Sequence, residues 1–106
     1  MSRFDDVITM LNSFSFPCDF DHAKIGNKVP FSTYTFSSGG VSADNTIFVK
    51  TYEFTFRVYV SKLSKLLDKE IEDKFAENEI VWTRSEPTYI EDSKVYEIDY
   101  EFGIVG

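Results

Sequence analysis

Residues 46–60, TIFVKTYEFTFRVYV, decide the fold. β-Branched and aromatic side chains dominate this stretch, and their alternation is typical of a strand. The face that is apolar enough for a core comprises Phe48, Tyr52, Phe54, Phe56, Val58 and Val60, whereas the opposite face is mixed. A run of this length spans about 50 Å, far beyond a usual strand of about five or six residues. Either a bulge interrupts the run, or it belongs to a hairpin that projects beyond the body of the domain.

Shorter patterns on both sides of this run complete the architecture. Residues 29–36, VPFSTYTF, predict a strand before it, and residues 79–85 and 93–105 predict two strands after it. Amphipathic helices are predicted near the N-terminus and over residues 61–78. The order α-β-β-α-β-β predicts a single α+β domain, residues 1–106. We expect two layers, with two helices on one face of a mostly antiparallel sheet of about four strands that includes a long β-hairpin.

Apolar residues at helical spacing place the two helices. The stripe of the first helix is Phe4, Val7, Ile8, Leu11 and Phe14, and the stripe of the second is Leu63, Leu66, Leu67, Ile71 and Phe75. Ser61 or Ser64 can cap the second helix, because a serine hydroxyl accepts a hydrogen bond from a first-turn amide.

Composition narrows the function classes. The net charge is −7, from 18 acidic and 11 basic residues. This charge disfavours sequence-specific binding to DNA and binding to an anionic membrane. An acidic surface can still serve DNA by repelling it. Cys18 is the only cysteine, and the N-terminal segment carries Asp5 and Asp6 where a signal peptide would be positively charged. We therefore expect a cytoplasmic domain without an intrachain disulfide.

Residues 37–48, SSGGVSADNTIF, contain the adjacent glycines Gly39 and Gly40. A phosphate-binding loop needs a strand, then glycines, then the N-terminus of a helix. Here β patterns lie on both sides, and Asp44 would repel a phosphate. A hairpin connection is the better interpretation.

Residues 17–22, PCDFDH, concentrate Cys18, Asp19, Asp21 and His22. A zinc site usually draws four ligands from two clusters, and no second cluster exists in the sequence. A Cys18–His22 nucleophile pair would need spatial adjacency and an orienting third group. A surface loop with a half-buried cysteine is the plainer interpretation, so the sequence predicts neither an enzyme nor a metal or cofactor site.

Glu97, Asp99 and Glu101 form an acidic row on one face of the last strand. Catalytic carboxylate pairs sit in clefts rather than along a strand. A solvated strand face is the simplest interpretation. The alternative is functional repulsion, in which the row lines a channel and keeps a polyanion from adhering.

An ordered set of short motifs resembles a known family. The motifs are Pro30-Phe31, Ala43-Asp44-Asn45, Glu70-Ile71-Glu72, Glu86, Tyr89-Ile90-Glu91, Lys94-Val95-Tyr96-Glu97 and Tyr100-Glu101. In this order they resemble the small tail-terminator (tail-completion) proteins of long-tailed bacteriophages and related prophages. The chain departs from the family pattern at residues 37–40, where many relatives carry an aromatic-rich segment with Asp-Gly.

The resemblance implies a structural protein without catalysis. It implies a homo-hexameric ring that sits on the last ring of the tail tube, stops polymerisation and presents the joining surface for the head connector, while DNA passes through unattached. The implied partners are further copies of the chain, the major tail-tube protein and head-tail connector proteins. The implied location is the host bacterial cytoplasm during assembly, then the head-proximal end of the tail in the virion.

Two groups of residues follow as hypotheses. The hypothesised assembly loop comprises Ser37, Ser38, Gly39, Gly40, Val41, Asp44, Asn45, Ile47 and Val49, and we expect residues 37–46 to be mobile in the free monomer. The channel-facing candidates are Glu97, Asp99 and Glu101. Two alternatives stay open, namely a head-tail connector or neck protein of the same particle, and a small cytoplasmic ligand-binding domain or enzyme.

Overall fold

The computed structural model describes residues 3–22, 28–43 and 47–105, and within 41–43 and 47–49 it describes the backbone alone. The chain forms an α+β domain. Its elements are α1 (Arg3–Leu11), β1 (Cys18–Phe20), β2 (Phe31–Ala43), β3 (Ile47–Val60), α2 (Lys65–Glu77), β4 (Trp82–Arg84), β5 (Thr88–Ile90) and β6 (Val95–Val105). The sheet has the order β1-β2-β3-β6-β4, and β5 pairs with β6 beside β4.

The sheet of the described chain has six strands rather than the expected four or so. The additional strands, β1 and β5, have three residues each. Segments this short carry no readable periodicity, and they become strands only because a long strand lies beside them. β1 pairs with β2 in parallel, whereas the other pairs are antiparallel.

β2 is longer than the sequence predicted. The expected strand ended at residue 36 and a loop followed, but the ladder with β3 runs without a break from Phe31↔Tyr59 to Ala43↔Ile47. The loop prediction for residues 37–43 is therefore wrong. Ser and Gly have low strand propensity, but backbone hydrogen bonds to a strongly β-forming partner override it. Asp44, Asn45 and residue 46 lie outside the described residues.

The expectation of a projecting hairpin is confirmed for its described part. β6 pairs with β3 only from Thr51↔Val105 to Val60↔Tyr96. Beyond that point, residues 40–43 and 47–50 pair only with each other among the described residues; we call them the ribbon. The longest dimension of the molecule is 51 Å, about twice the other two.

The hydrophobic core lies between one face of the sheet and both helices. Its largest fully buried side chains include Phe54, Phe56, Phe75 and Tyr100. Phe56 lies on β3 and Tyr100 on β6. The ring centroid of Phe75, on α2, is 6.1 Å from that of Phe56 and 5.6 Å from that of Tyr100. The predicted inward face of β3 is thus confirmed where the structure describes it, and β6 turns inward the face opposite its acidic row.

The predicted stripe of α2 is only partly correct. Ile71 and Phe75 are buried and Leu67 packs against the core, but Leu63 and Leu66 are 52% and 82% exposed. Leu67, Ile71 and Phe75 form one row four residues apart, and Leu66 projects about 100° away from it. The helix is capped by Ser64, whose hydroxyl accepts a hydrogen bond from the Leu67 amide at 3.2 Å. Neither α1 nor α2 is long and apolar enough to cross a membrane.

Candidate functional site: the open face of the sheet

One face of the sheet carries no helix among the described residues, and we call it the open face. Alternation along β2, β3 and β6 directs the odd-numbered side chains to this face, because the even-numbered ones fill the core. On these three strands its charged residues are Glu53, Arg57, Glu97, Asp99 and Glu101. These three strands therefore place four carboxylates and a single guanidinium on the open face, and β1 adds Asp19, which pairs with Thr33.

Arg57 lies between two members of the acidic row. Its Nε is 3.7 Å from a carboxylate oxygen of Glu97 and 3.7 Å from one of Asp99. The register between β3 and β6 explains this geometry. Arg57 pairs directly with Asp99, and Tyr59, the next residue of β3 on the same face, pairs with Glu97. Periodicity predicts which strand face each of these residues occupies but not which residues pair, because it carries no information on the register between distant strands.

Burial and the neighbouring charges shift the pKa of Glu97 in the cluster of Arg57, Glu97 and Asp99. Burial raises the pKa of the Glu97 carboxyl, the neighbouring Asp99 raises it further, and Arg57 opposes both. The Asp99 amide donates a hydrogen bond to the Ser85 hydroxyl at 3.0 Å. One carboxylate oxygen of Asp99 is buried without a hydrogen-bond partner among the described residues. Glu97 and Asp99 are therefore held in place by Arg57 rather than fully solvated.

The other carboxylates of the open face are more accessible. Glu101 and Glu53 are exposed. Glu53 leans over Gly103, where a β-carbon would come within 2.9 Å of its carboxylate oxygen. Of the three predicted channel-facing residues, only Glu101 is thus an exposed carboxylate, whereas Glu97 and Asp99 are half-buried.

An apolar cleft lies at the end of the open face farthest from the ribbon. It has a volume of about 670 Å³, and Val29, Phe31, Tyr59, Ile90 and Val95 line it. Phe31 and Tyr59 stack across the β2–β3 pair, with ring centroids 4.9 Å apart. Burial raises the pKa of the Tyr59 hydroxyl, and Glu97 adds to this.

The segment PCDFDH does not assemble a catalytic pair. Cys18 lies on β1 and packs against the core, and burial raises the pKa of its thiol. A nucleophilic cysteine needs the opposite shift. The side chain of His22 is 84% exposed, with Nδ1 3.3 Å from Asp21. Within the described ranges, no three His, Cys, Asp or Glu side chains are grouped to hold a metal ion.

The residues of the hypothesised assembly loop fall into three groups. Ser37, Ser38, Gly39 and Gly40 are exposed residues of β2. Val41, Ile47 and Val49 belong to the ribbon, where the backbone alone is described. Asp44 and Asn45 lie outside the described residues.

Comparisons with models of known protein families and with curated proteins found no match to this sequence.

Proposed function

We propose that this protein is a tail-terminator-like structural protein. It would close the tail tube as a homo-hexameric ring, stop tube polymerisation and provide the joining surface to the head connector, with DNA passing through the ring. The observation that carries the proposal is the ribbon. An isolated two-stranded hairpin is at best marginally stable in water, so a ribbon that leaves the body of its own sheet fits a protein completed by other chains.

The open face supports the part of the proposal that concerns DNA. All helices of the described chain pack on the opposite face, so a ring can present the sheet to its channel. The four carboxylates of β3 and β6 would then face DNA, and Arg57 would not be free to bind phosphate, because it is paired with Glu97 and Asp99. The described residues of β2, β3 and β6 place no row of free Lys or Arg on this face, so little counterion release would drive adhesion.

The first experiment tests the role in the particle. Particles assembled without this protein are examined by negative-stain electron microscopy. We expect overlong or unattached tails. Normal tails on capsids that leak DNA would instead indicate a head-tail connector or neck protein and would overturn the terminator proposal.

The second experiment tests the channel. Glu101→Lys places a positive charge on the open face, and Glu77→Lys makes the same change at an exposed site on α2. We expect both variants to assemble into tails, and only Glu101→Lys to slow DNA ejection. Equal ejection from both variants would exclude the open face as the channel lining.

A further inference from the structure

The outer edge of β2 is paired along only part of its length. β1 pairs with residues 32–34, and residues 35–43 have no strand beside them among the described residues. After β1 the chain turns back, because Asp21 takes a φ of 69° and lines a pocket with Phe31, at the end of β2 away from the ribbon. The described part of the chain therefore leaves space beside residues 36–40.

The hydrogen bonds beside β1 show which backbone groups of β2 point outward. The Ser32 amide donates to the Pro17 carbonyl at 2.8 Å, and the Tyr34 carbonyl accepts from the Asp21 amide at 2.8 Å. Outward and inward residues alternate along a strand, and the β2–β3 ladder is unbroken. The even-numbered residues from 36 to 40 therefore point their amides and carbonyls to the outer edge, whereas the odd-numbered residues between them bond to β3.

This edge lacks the usual protection against pairing. Natural edge strands are commonly protected by charged side chains, especially Lys, or by Pro. Residues 35–43, TFSSGGVSA, contain no charged residue and no Pro, and residues 36–40 are exposed. An edge of this composition is suited to accept a further strand, because main-chain hydrogen bonds then supply much of the affinity.

The helix side of the free edge is apolar. Phe20 is 55% exposed and Phe36 is 37% exposed, and their ring centroids are 5.7 Å apart. Phe20 ends β1, so a strand added beside residues 36–40 would continue the line of β1. Its side chain opposite Phe36 would follow Phe20 along that line. One apolar side chain at this position would therefore cover both rings.

The open-face side of the same edge is acidic. Asp19 lies on β1 at the start of the free edge, and Glu53 pairs with residue 37. Arg57, farther along β3, is already held between two carboxylates. Lys50 lies on the helix side, with Nζ 5.3 Å from the ring centroid of Tyr52. An added strand would therefore meet apolar rings on one side and negative charge on the other.

We propose that residues 36–40 of β2 accept an added strand from another protein. Alternate side chains of that strand are apolar toward Phe20 and Phe36 and basic toward the open face. The net charge of −7 favours a basic partner over a second copy, because two copies repel each other. The inference goes beyond the proposed function and holds whether or not this chain forms a ring.

Amide exchange read residue by residue by NMR tests the pairing. The probe is a seven-residue synthetic peptide in which Lys alternates with Val. The control peptide has the same sequence with N-methyl groups on its three central amides, which keeps the charge and the side chains but removes the donors. In the free protein the amides of Phe36, Ser38 and Gly40 should exchange fast and those of Ser37 and Gly39 slowly.

The probe at about ten times its Kd should slow the three fast amides by about tenfold, and the control peptide should not. Ser38→Pro removes an outward amide without touching the bonds to β3, so it should raise the Kd of the probe at least about tenfold. The matched variant Ser38→Thr keeps the amide and should bind as the unchanged protein does. Slow exchange at residues 37 and 39 verifies that the ladder is intact in both variants.

Phe20→Ser provides an independent variant, because it removes an exposed ring and leaves the edge of β2 unchanged. It should raise the Kd of the probe severalfold. An unchanged Kd would contradict the apolar contact that the proposal assigns to Phe20.

Four outcomes would overturn the proposal. The probe could leave all three fast amides unprotected. Equal protection by both peptides would show charge attraction alone. Protection without peptide that grows with protein concentration would show that a second copy occupies the edge. Slow exchange of the even-numbered amides at every concentration would show that the chain covers the edge itself.

Discussion

Replacement of Arg57 by Met tests how the open face tolerates its charges. The apolar stem is kept, so the change removes the guanidinium while leaving most of the packing. Each Nε–carboxylate pair is 3.7 Å apart. A unit pair at that distance is worth about 4 kcal/mol at an effective dielectric constant of about 20 and about 1 kcal/mol in water.

Because solvent screens these charges, the energy of each ion pair should lie near the value for water. The three side chains are 27–35% exposed, and exposed ion pairs measure about 0.2–1 kcal/mol. Two such pairs, together with the repulsion left between Glu97 and Asp99, give an expected loss of about 2 kcal/mol at pH 7.

The loss should depend on pH with a definite sign. The pKa of Glu97 already lies above its ordinary value in the folded protein, and Arg57 is the influence that lowers it. Without Arg57 it rises further, so the folded state binds the proton more tightly than the unfolded state does. Stability is then retained below the ordinary pKa of a glutamate and decreases as pH rises through the raised one. At pH 4 the penalty of Arg57→Met should therefore shrink.

Urea unfolding followed by Trp82 fluorescence measures both quantities. Trp82 is the only tryptophan, and its ring lies 5.4 Å from that of buried Tyr100. Arg57→Lys is the matched control, because it keeps the charge and should lose less stability. An equal loss at pH 4 and pH 7, or an equal loss in both variants, would refute the electrostatic explanation.

Three further predictions concern the supports of the fold. Tyr100→Phe removes a hydroxyl that accepts a hydrogen bond from Arg84 Nε at 3.2 Å and should lower the free energy of unfolding by about 1–2 kcal/mol; an unchanged urea midpoint would contradict this. Ser64→Ala removes the cap of α2 and should lower the free energy of unfolding by about 1 kcal/mol, measured by thermal unfolding. The control Ser61→Ala should lower it little. Equal losses of stability in the two variants would show that the cap is not at Ser64. The Cys18 thiol, whose pKa is raised by burial, should react with a disulfide reagent at least about tenfold more slowly in the folded protein than in urea; equal rates would show that burial does not suppress the thiolate.

Local patterns were sufficient for most of the elements. The inward faces of β3 and β6 follow from strict alternation, and Ile71 and Phe75 follow from helical spacing, because these periods are intrinsic to the backbone. Leu66 was wrongly placed in the core. Its hydrophobicity and its position beside Leu67 resemble those of a core residue, but the helix turns the row Leu67, Ile71 and Phe75 toward the sheet, which leaves Leu66 82% exposed.

The candidate site was less predictable. Glu97 and Asp99 were recognised as a row, but their partner Arg57 lies 40 or more residues earlier in the chain. Only the register of β3 with β6 brings the three together.

Local sequence patterns are enough to predict the two helices, strands β3 and β6, the inward face of β3 and the acidic character of the chain. These depend on side-chain period and composition, which are local properties. Strand pairing in the fold makes residues 37–43 a strand rather than a loop and brings Arg57 between Glu97 and Asp99. Each of these depends on which strand lies beside which and in what register, and pairing between distant segments is a property of the folded chain as a whole.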